Sequence, residues 1–138
     1  MRIMENALTN EEFKYLFESA GWSSPSLSQI DIALKNSLSV FSLYKDNKLV
    51  GMARLLGDKS MSYFIKDFVI HPNYQGQGLG RYMMEYIDKY ILNQIEDGWA
   101  VCVELMSAKD KEAFYKKLGF TSLPNDFSDS GMRKMIRK

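Results

Sequence analysis

The chain has 138 residues, 46% of them apolar and 25% charged, with a formal net charge of +1 at pH 7. That size and balance fit one soluble globular domain over residues 1–138 with a single core, and the small charge gives no field toward nucleic acid or a membrane surface. One cysteine and one histidine leave no disulfide framework or histidine-rich metal centre, and no apolar run nears the length of a membrane span or a signal peptide, so a cytoplasmic protein is expected.

In chain order, Met1 to Leu8 offers a short first strand. Thr9 reads as a helix N-cap with Glu12 three residues on, the pattern of a capping box. Phe13, Leu16, Phe17 and Ala20 follow at helical spacing until Gly21 stops the run. Pro25 marks a turn, and Ile30, Ala33 and Leu34 predict a second helix. Leu38 to Tyr44 reads as a strand, Lys45-Asp46-Asn47-Lys48 as a hairpin turn, and Leu49 to Leu56 as the returning strand. Met61 to His71 is the central strand. Tyr82, Met83, Tyr86, Ile87, Tyr90, Ile91 and Ile95 give a long amphipathic helix whose stripe is core. Trp99 to Met106 reads as a buried strand, which makes Cys102 an inert core thiol. A short helix with Ala113, Phe114 and Leu118 on its buried face then ends at Gly119. Residues 121–130 form a loop, and Gly131 to Ile136 predicts an edge strand. The four cations between Arg133 and Lys138 read as a solvated end.

The segment Asp67-Phe68-Val69-Ile70-His71-Pro72-Asn73-Tyr74-Gln75-Gly76-Gln77-Gly78-Leu79-Gly80 carries the chemistry. It joins an apolar strand to a loop with glycines at 76, 78 and 80, and the loop opens into a helix near Leu79. Such glycines allow tight turns and close approach of backbone N–H groups to a ligand, and the helix aims its positive end at the same place. An anion such as a pyrophosphate is the natural occupant. Arg81 breaks the G-x-G-x-x-G frame of a dinucleotide fold, and a P-loop would need Gly-Lys-Ser/Thr.

Gln75-x-x-Gly78-x-Gly80 resembles the acyl-CoA loop of the GNAT superfamily of N-acetyltransferases. Tyr115-Lys116-Lys117-Leu118-Gly119-Phe120, about 35 residues on, resembles the family's Tyr-x-x-x-Gly-Phe signature. The resemblance covers residues 38–122 well. Gly21-Trp22, Leu34-Lys35-Asn36-Ser37 and Val50-Gly51-Met52-Ala53-Arg54 are similar to a bacterial branch near the plant serotonin N-acetyltransferases.

The resemblance implies the GNAT fold, an α/β architecture with a mixed, mostly antiparallel central sheet flanked by helices. It implies acetyl-CoA as co-substrate, no metal, and a primary amine as acceptor, a small arylalkylamine or polyamine being the expectation. The pyrophosphate would lie on the N–H groups of Gln75, Gly76, Gln77, Gly78, Leu79 and Gly80, with Arg81 beside it. Pantetheine would run along Phe68, Val69 and Ile70, whose backbone would also hold the oxyanion. Phe114 and Lys117 would flank the CoA from the late helix. Tyr115 would protonate the departing thiolate; by residue type alone it is an ordinary helix tyrosine. Where relatives place a base on the central strand this chain has Phe64 and Lys66, so Asp67 and Glu104 are the remaining candidates. Strand-edge solvation or an ion pair with Lys66 is the plainer reading of both, and a water wire or the free-amine fraction is the route without a side-chain base. His71 reads as a turn residue. Many relatives have an asparagine seven residues before the tyrosine, where this chain has Ala108. Phe17, Trp22, Asp126, Phe127 and Asp129 fall where the family builds its acceptor pocket. Homodimers are common in the family. The alternative function is a non-catalytic acyl-CoA-binding sensor.

Overall fold

Five extended runs form strands, and hydrogen bonding arranges them as one sheet in sequence order. The computed structural model describes Met1–Lys138. The strands are β1 (Arg2–Glu5), β2 (Ser39–Lys45), β3 (Lys48–Gly57), β4 (Ser62–Ile70) and β5 (Cys102–Leu105). β1 to β4 pair antiparallel, and β5 joins β4 in parallel. Parallel neighbours need a long crossover, and α3 (Leu79–Leu92) supplies it. By contact density the chain divides into two units, Met1–Leu105 and Met106–Lys138.

In the first unit, α1 (Asn10–Ser19) begins with the expected capping box. The Thr9 hydroxyl accepts the Glu12 N–H at 3.1 Å, and the Glu12 carboxylate accepts the Thr9 N–H at 2.9 Å. α2 (Leu27–Lys35) is capped by Ser26. Leu8, Phe13, Leu16 and Ile30 pack with Val40, Met52 and Val69 of the sheet, so α1 and α2 cover one face. Phe17 and Trp22, expected near the acceptor, pack against that core in an edge-on contact with ring centroids 5.0 Å apart. Successive strand residues face opposite ways. Phe41, next to Val40, accordingly meets Tyr86 and Tyr90 of α3 edge-on. Met83, Met84, Ile87 and Ile91 are buried, as an amphipathic stripe requires, while the helix stops at Leu92 and leaves Ile95 outside.

Asp46 and Asn47 both adopt left-handed backbone (φ 49° and 61°), the conformation that matches a two-residue hairpin to the twist of its strands. Gly51 is fixed by space: a Cβ there would stand 2.7 Å from Ile70 Cδ1 and 2.9 Å from the Val69 carbonyl oxygen. β5 is shorter and less covered than its apolar sequence predicts. Trp99 is 45% exposed and Cys102 is an exposed thiol rather than a core one. The four residues of β5 have β4 on one edge and no further strand on the other, which limits what they can bury.

In the second unit, α4 (Glu112–Lys116) is little more than one turn. Its buried residue is Tyr115; Ala113 is exposed, and Phe114 and Leu118 are half-buried, which corrects the expected face. Residues 121–130 form the expected loop, with Asn125 Oδ1 accepting the N–H groups of Phe127 and Ser128 at 2.9 Å. Gly131 to Ile136 forms no strand. Its apolar residues Met132, Met135 and Ile136 are interrupted by cations and stay exposed.

Candidate active site

β4 carries the first half of the site. β5 accompanies it only from Ser62 to Ile65, whereas β3 stays beside it to Ile70. One residue past the end of the β5 pairing, the β3–β4 register shifts: Arg54 faces Lys66, and Met52 faces Val69. Two steps on β3 thus match three on β4, which is a β-bulge. Asp67 stands in it with left-handed backbone, φ 52°. A bulge raises local twist and bends its strand, and Phe68, Val69 and Ile70 follow it beyond the last residue paired with β5.

Asp67 is not paired with Lys66. Its Oδ2 accepts a hydrogen bond from Arg54 Nε at 2.8 Å, and the two side chains are 12% and 15% exposed. Arg54 also donates from Nη1 to the Ser37 hydroxyl at 3.4 Å. Lys66 instead lies 6.0 Å from the centre of the Phe64 ring.

Past Ile70 the chain makes one 3₁₀ turn, Pro72–Tyr74, capped by His71 Nδ1 accepting the Asn73 N–H at 3.2 Å. His71 is therefore a turn residue, and its ring lies against Tyr15 and Tyr74. Gln75 reaches back to donate from Nε2 to the Ile70 carbonyl at 2.9 Å, tying the loop to the strand end. Gly76 and Gly78 take left-handed backbone (φ 73° and 77°), and apart from their chain neighbours no atom lies within 4 Å of where their Cβ atoms would be. Gly80 is not part of that turn; it is already the second residue of α3. The N-cap of α3 is Gly78, with no side-chain cap, so no side chain caps the first-turn N–H groups at the positive end of a 14-residue helix. Arg81 pairs loosely with Glu85 at 3.9 Å. Lys45, from the β2–β3 hairpin, donates to Gln77 Oε1 at 2.6 Å. Lys45 and Arg54 are absent from the residues expected at the site. A lone arginine inside the apolar run from Val50 to Leu56 is the available sequence signal for one; nothing local marks the other.

The chain is covered over residues 36–122 by the model of the acetyltransferase (GNAT) domain. It belongs to the GNAT acetyltransferase family. It is 36% identical over 118 residues to the uncharacterized N-acetyltransferase ycf52 of Pyropia yezoensis, covering 83% of this chain and 66% of that protein. It is 31% identical to the histone acetyltransferase TAP1 of Glycine max over 82% of this chain and 52% of that one. The chain thus spans about two thirds or less of these curated relatives. A probable acetyltransferase of unknown function from meticillin-resistant Staphylococcus aureus superposes with a TM-score of 0.85 at 30% identity, covering 98% of each chain.

Glu104, Phe114, Tyr115 and Lys117 are the other residues expected at the site. Glu104 is an exposed carboxylate on β5, with Oε1 3.5 Å from Cys102 Sγ. Partial burial first, and then this carboxylate, push the Cys102 thiol up. In the second unit, Tyr115 stands between Phe114 and Phe120, with ring centroids 5.0 and 5.9 Å away, both edge-on. Burial pushes its phenol up to about 12, which keeps the proton on it at neutral pH. Lys117 is the exposed C-cap of α4. No group of three or more His, Cys, Asp or Glu side chains is placed to hold a metal ion, and no helix is long and apolar enough to cross a membrane.

Proposed function

We propose that this protein transfers the acetyl group of acetyl-CoA to a primary amine, within one ternary complex. The observation that carries the reading is the α3 N-terminus, where two left-handed glycines and an uncapped first turn follow, after one 3₁₀ turn, on a strand whose pairing with β5 ends at Ile65. In this reading the pyrophosphate takes the N–H groups of Gln75 to Gly80, with Arg81 beside it, and pantetheine lies along Phe68, Val69 and Ile70. Phe114 and Lys117 flank the CoA.

The amine lone pair attacks the thioester carbon, forming the C–N bond and moving the carbonyl pair onto oxygen. A backbone N–H of β4 stabilises that oxyanion. Collapse of the intermediate breaks the C–S bond. Tyr115 gives its proton to the leaving sulfur, and the proton lost by the nitrogen returns to the phenolate through solvent. Water, or Glu104 through water, takes the amine proton. The acceptor is a small arylalkylamine or polyamine, with Asp126, Phe127 and Asp129 able to meet a cationic or aromatic group; a protein lysine is the competing acceptor, supported by the relative described as a histone acetyltransferase. Action in the cytoplasm as a single domain, and as a homodimer, belongs to the same proposal.

The test is thermal unfolding with acetyl-CoA, CoA, NAD and ATP at equal concentration. Ligand at about 100 times its dissociation constant adds roughly 2.7 kcal/mol, a shift of several degrees. Acetyl-CoA raises Tm and NAD does not; no rise at millimolar acetyl-CoA would overturn the reading. A rise without turnover of any amine would identify an acyl-CoA sensor instead.

A further inference from the structure

The bulge in β4 raises a question that the loop does not answer: what keeps an aspartate in left-handed backbone in mid-strand. A left-handed residue other than glycine costs roughly 1–2 kcal/mol, less for Asp and Asn, so the surroundings must hold it there. Two contacts do so. Arg54 Nε bonds Asp67 Oδ2 at 2.8 Å from the strand directly alongside, and Arg54 Nη1 reaches Ser37 just beyond the end of α2. Both side chains of the pair are largely buried. A pair of this kind is costly to break from one side, because the remaining charge is left without its partner.

We infer that Arg54 and Asp67 form a positioning clamp. The clamp fixes the bulge one residue past the last β4–β5 pair and thereby aims the backbone of Phe68, Val69 and Ile70 at the acyl-CoA. Asp67 is then a positioning residue and not the general base. The inference rests on the acetyltransferase reading for its catalytic consequence, but the clamp itself is a statement about β4 alone. Geometry separates the two roles. A base must offer an open oxygen to the attacking amine, whereas one oxygen of Asp67 is taken by the guanidinium and the side chain is 12% exposed.

Three variants test it. Asp67→Asn keeps an acceptor for Arg54 and tolerates left-handed backbone, so kcat falls by less than about 10-fold, the scale of one charge-assisted hydrogen bond made neutral. The acidic limb of the kcat/KM profile stays where it is. A base removed by the same change would cost roughly 10²- to 10⁴-fold and erase that limb. Arg54→Ala unpairs the carboxylate; KM for acetyl-CoA rises, kcat falls more than in Asp67→Asn, and the amides of residues 68–70 exchange faster with deuterium. Arg54→Gln, which can still donate to Asp67, restores part of each and serves if Arg54→Ala does not fold. Unaltered exchange and kinetics in Arg54→Ala, or loss of the acidic limb in Asp67→Asn, overturns the clamp. Hydrogen exchange needs no substrate, so even a protein that turns over no amine shows whether β4 is clamped, and the two readings fail separately.

Discussion

Tyr115 is the residue on which the proposed chemistry turns, and its surroundings have two measurable consequences. As a proton donor it should matter to turnover and not to binding. Tyr115→Phe is expected to leave the acetyl-CoA dissociation constant unchanged and to lower kcat by roughly 10²- to 10⁴-fold in steady-state assays with any accepted amine. Unchanged kcat would remove the residue from its role. The second consequence concerns stability. Burial raises the folded-state phenol from 10.0 to about 12, so the folded form holds this proton more tightly than the unfolded chain does. Stabilisation is therefore complete below about pH 10 and is lost as pH rises through 12, with an upper bound of roughly 3 kcal/mol. Chemical denaturation at pH 9 and pH 11.5 should show a smaller decline in Tyr115→Phe than in the parent.

At the scale of elements, the strand and the loop are separable by glycine substitutions. Gly78→Val places a β-branched residue at φ 77°, where the cost is backbone strain, since a Cβ there meets no protein atom. The fold should survive while acetyl-CoA affinity drops by at least about 10-fold in calorimetry, equal to about 1.4 kcal/mol; retained affinity would mean that the loop is not the phosphate cradle. Gly51→Ala does the reverse. Its methyl would press on Ile70 and on the Val69 carbonyl, so overpacking of roughly 1–3 kcal/mol should appear as a lower Tm. Elements are readable where the signal is local. The Thr9–Glu12 box, the Asp46-Asn47 turn and the glycine loop each depend on residues a few positions apart, and each forms as its pattern implies. The Arg54–Asp67 pair depends on strand register thirteen residues apart, and Lys45–Gln77 on the folding of a hairpin onto a distant loop. Trp99 and Cys102 depart from expectation because apolar composition predicts burial only where a neighbouring layer exists to provide it. The tail from Gly131 fails as a strand for a related reason: its cations break the alternation that an edge strand needs.

For the whole molecule, the distribution of exposed apolar groups is uneven. Phe127, Met132 and Ile136 are each more than 80% exposed in a segment without regular structure, whereas most apolar residues of β2 to β4 and of α3 are buried. Brief trypsin treatment should therefore cut at Arg133, Lys134 or Arg137 well before any site within β2 to β4, and mass spectrometry of the early products decides it. Early cleavage at Arg54 or Lys66 would show that the sheet opens more readily than its hydrogen bonding suggests. The bulge has a meaning at this scale too. Lys66 and Val69, three residues apart, both face β3 residues that are two apart, so β4 shifts its reading frame once along its length. Before the shift Tyr63 reaches Gln94, just past α3, and after it Val69 belongs to the layer of α1 and α2. Relatives related by a single deletion between residues 66 and 69 would thus differ by far more than one residue: every later side chain of the strand would change sides, and alignments that place a gap there join sequences whose cores are written in different phases.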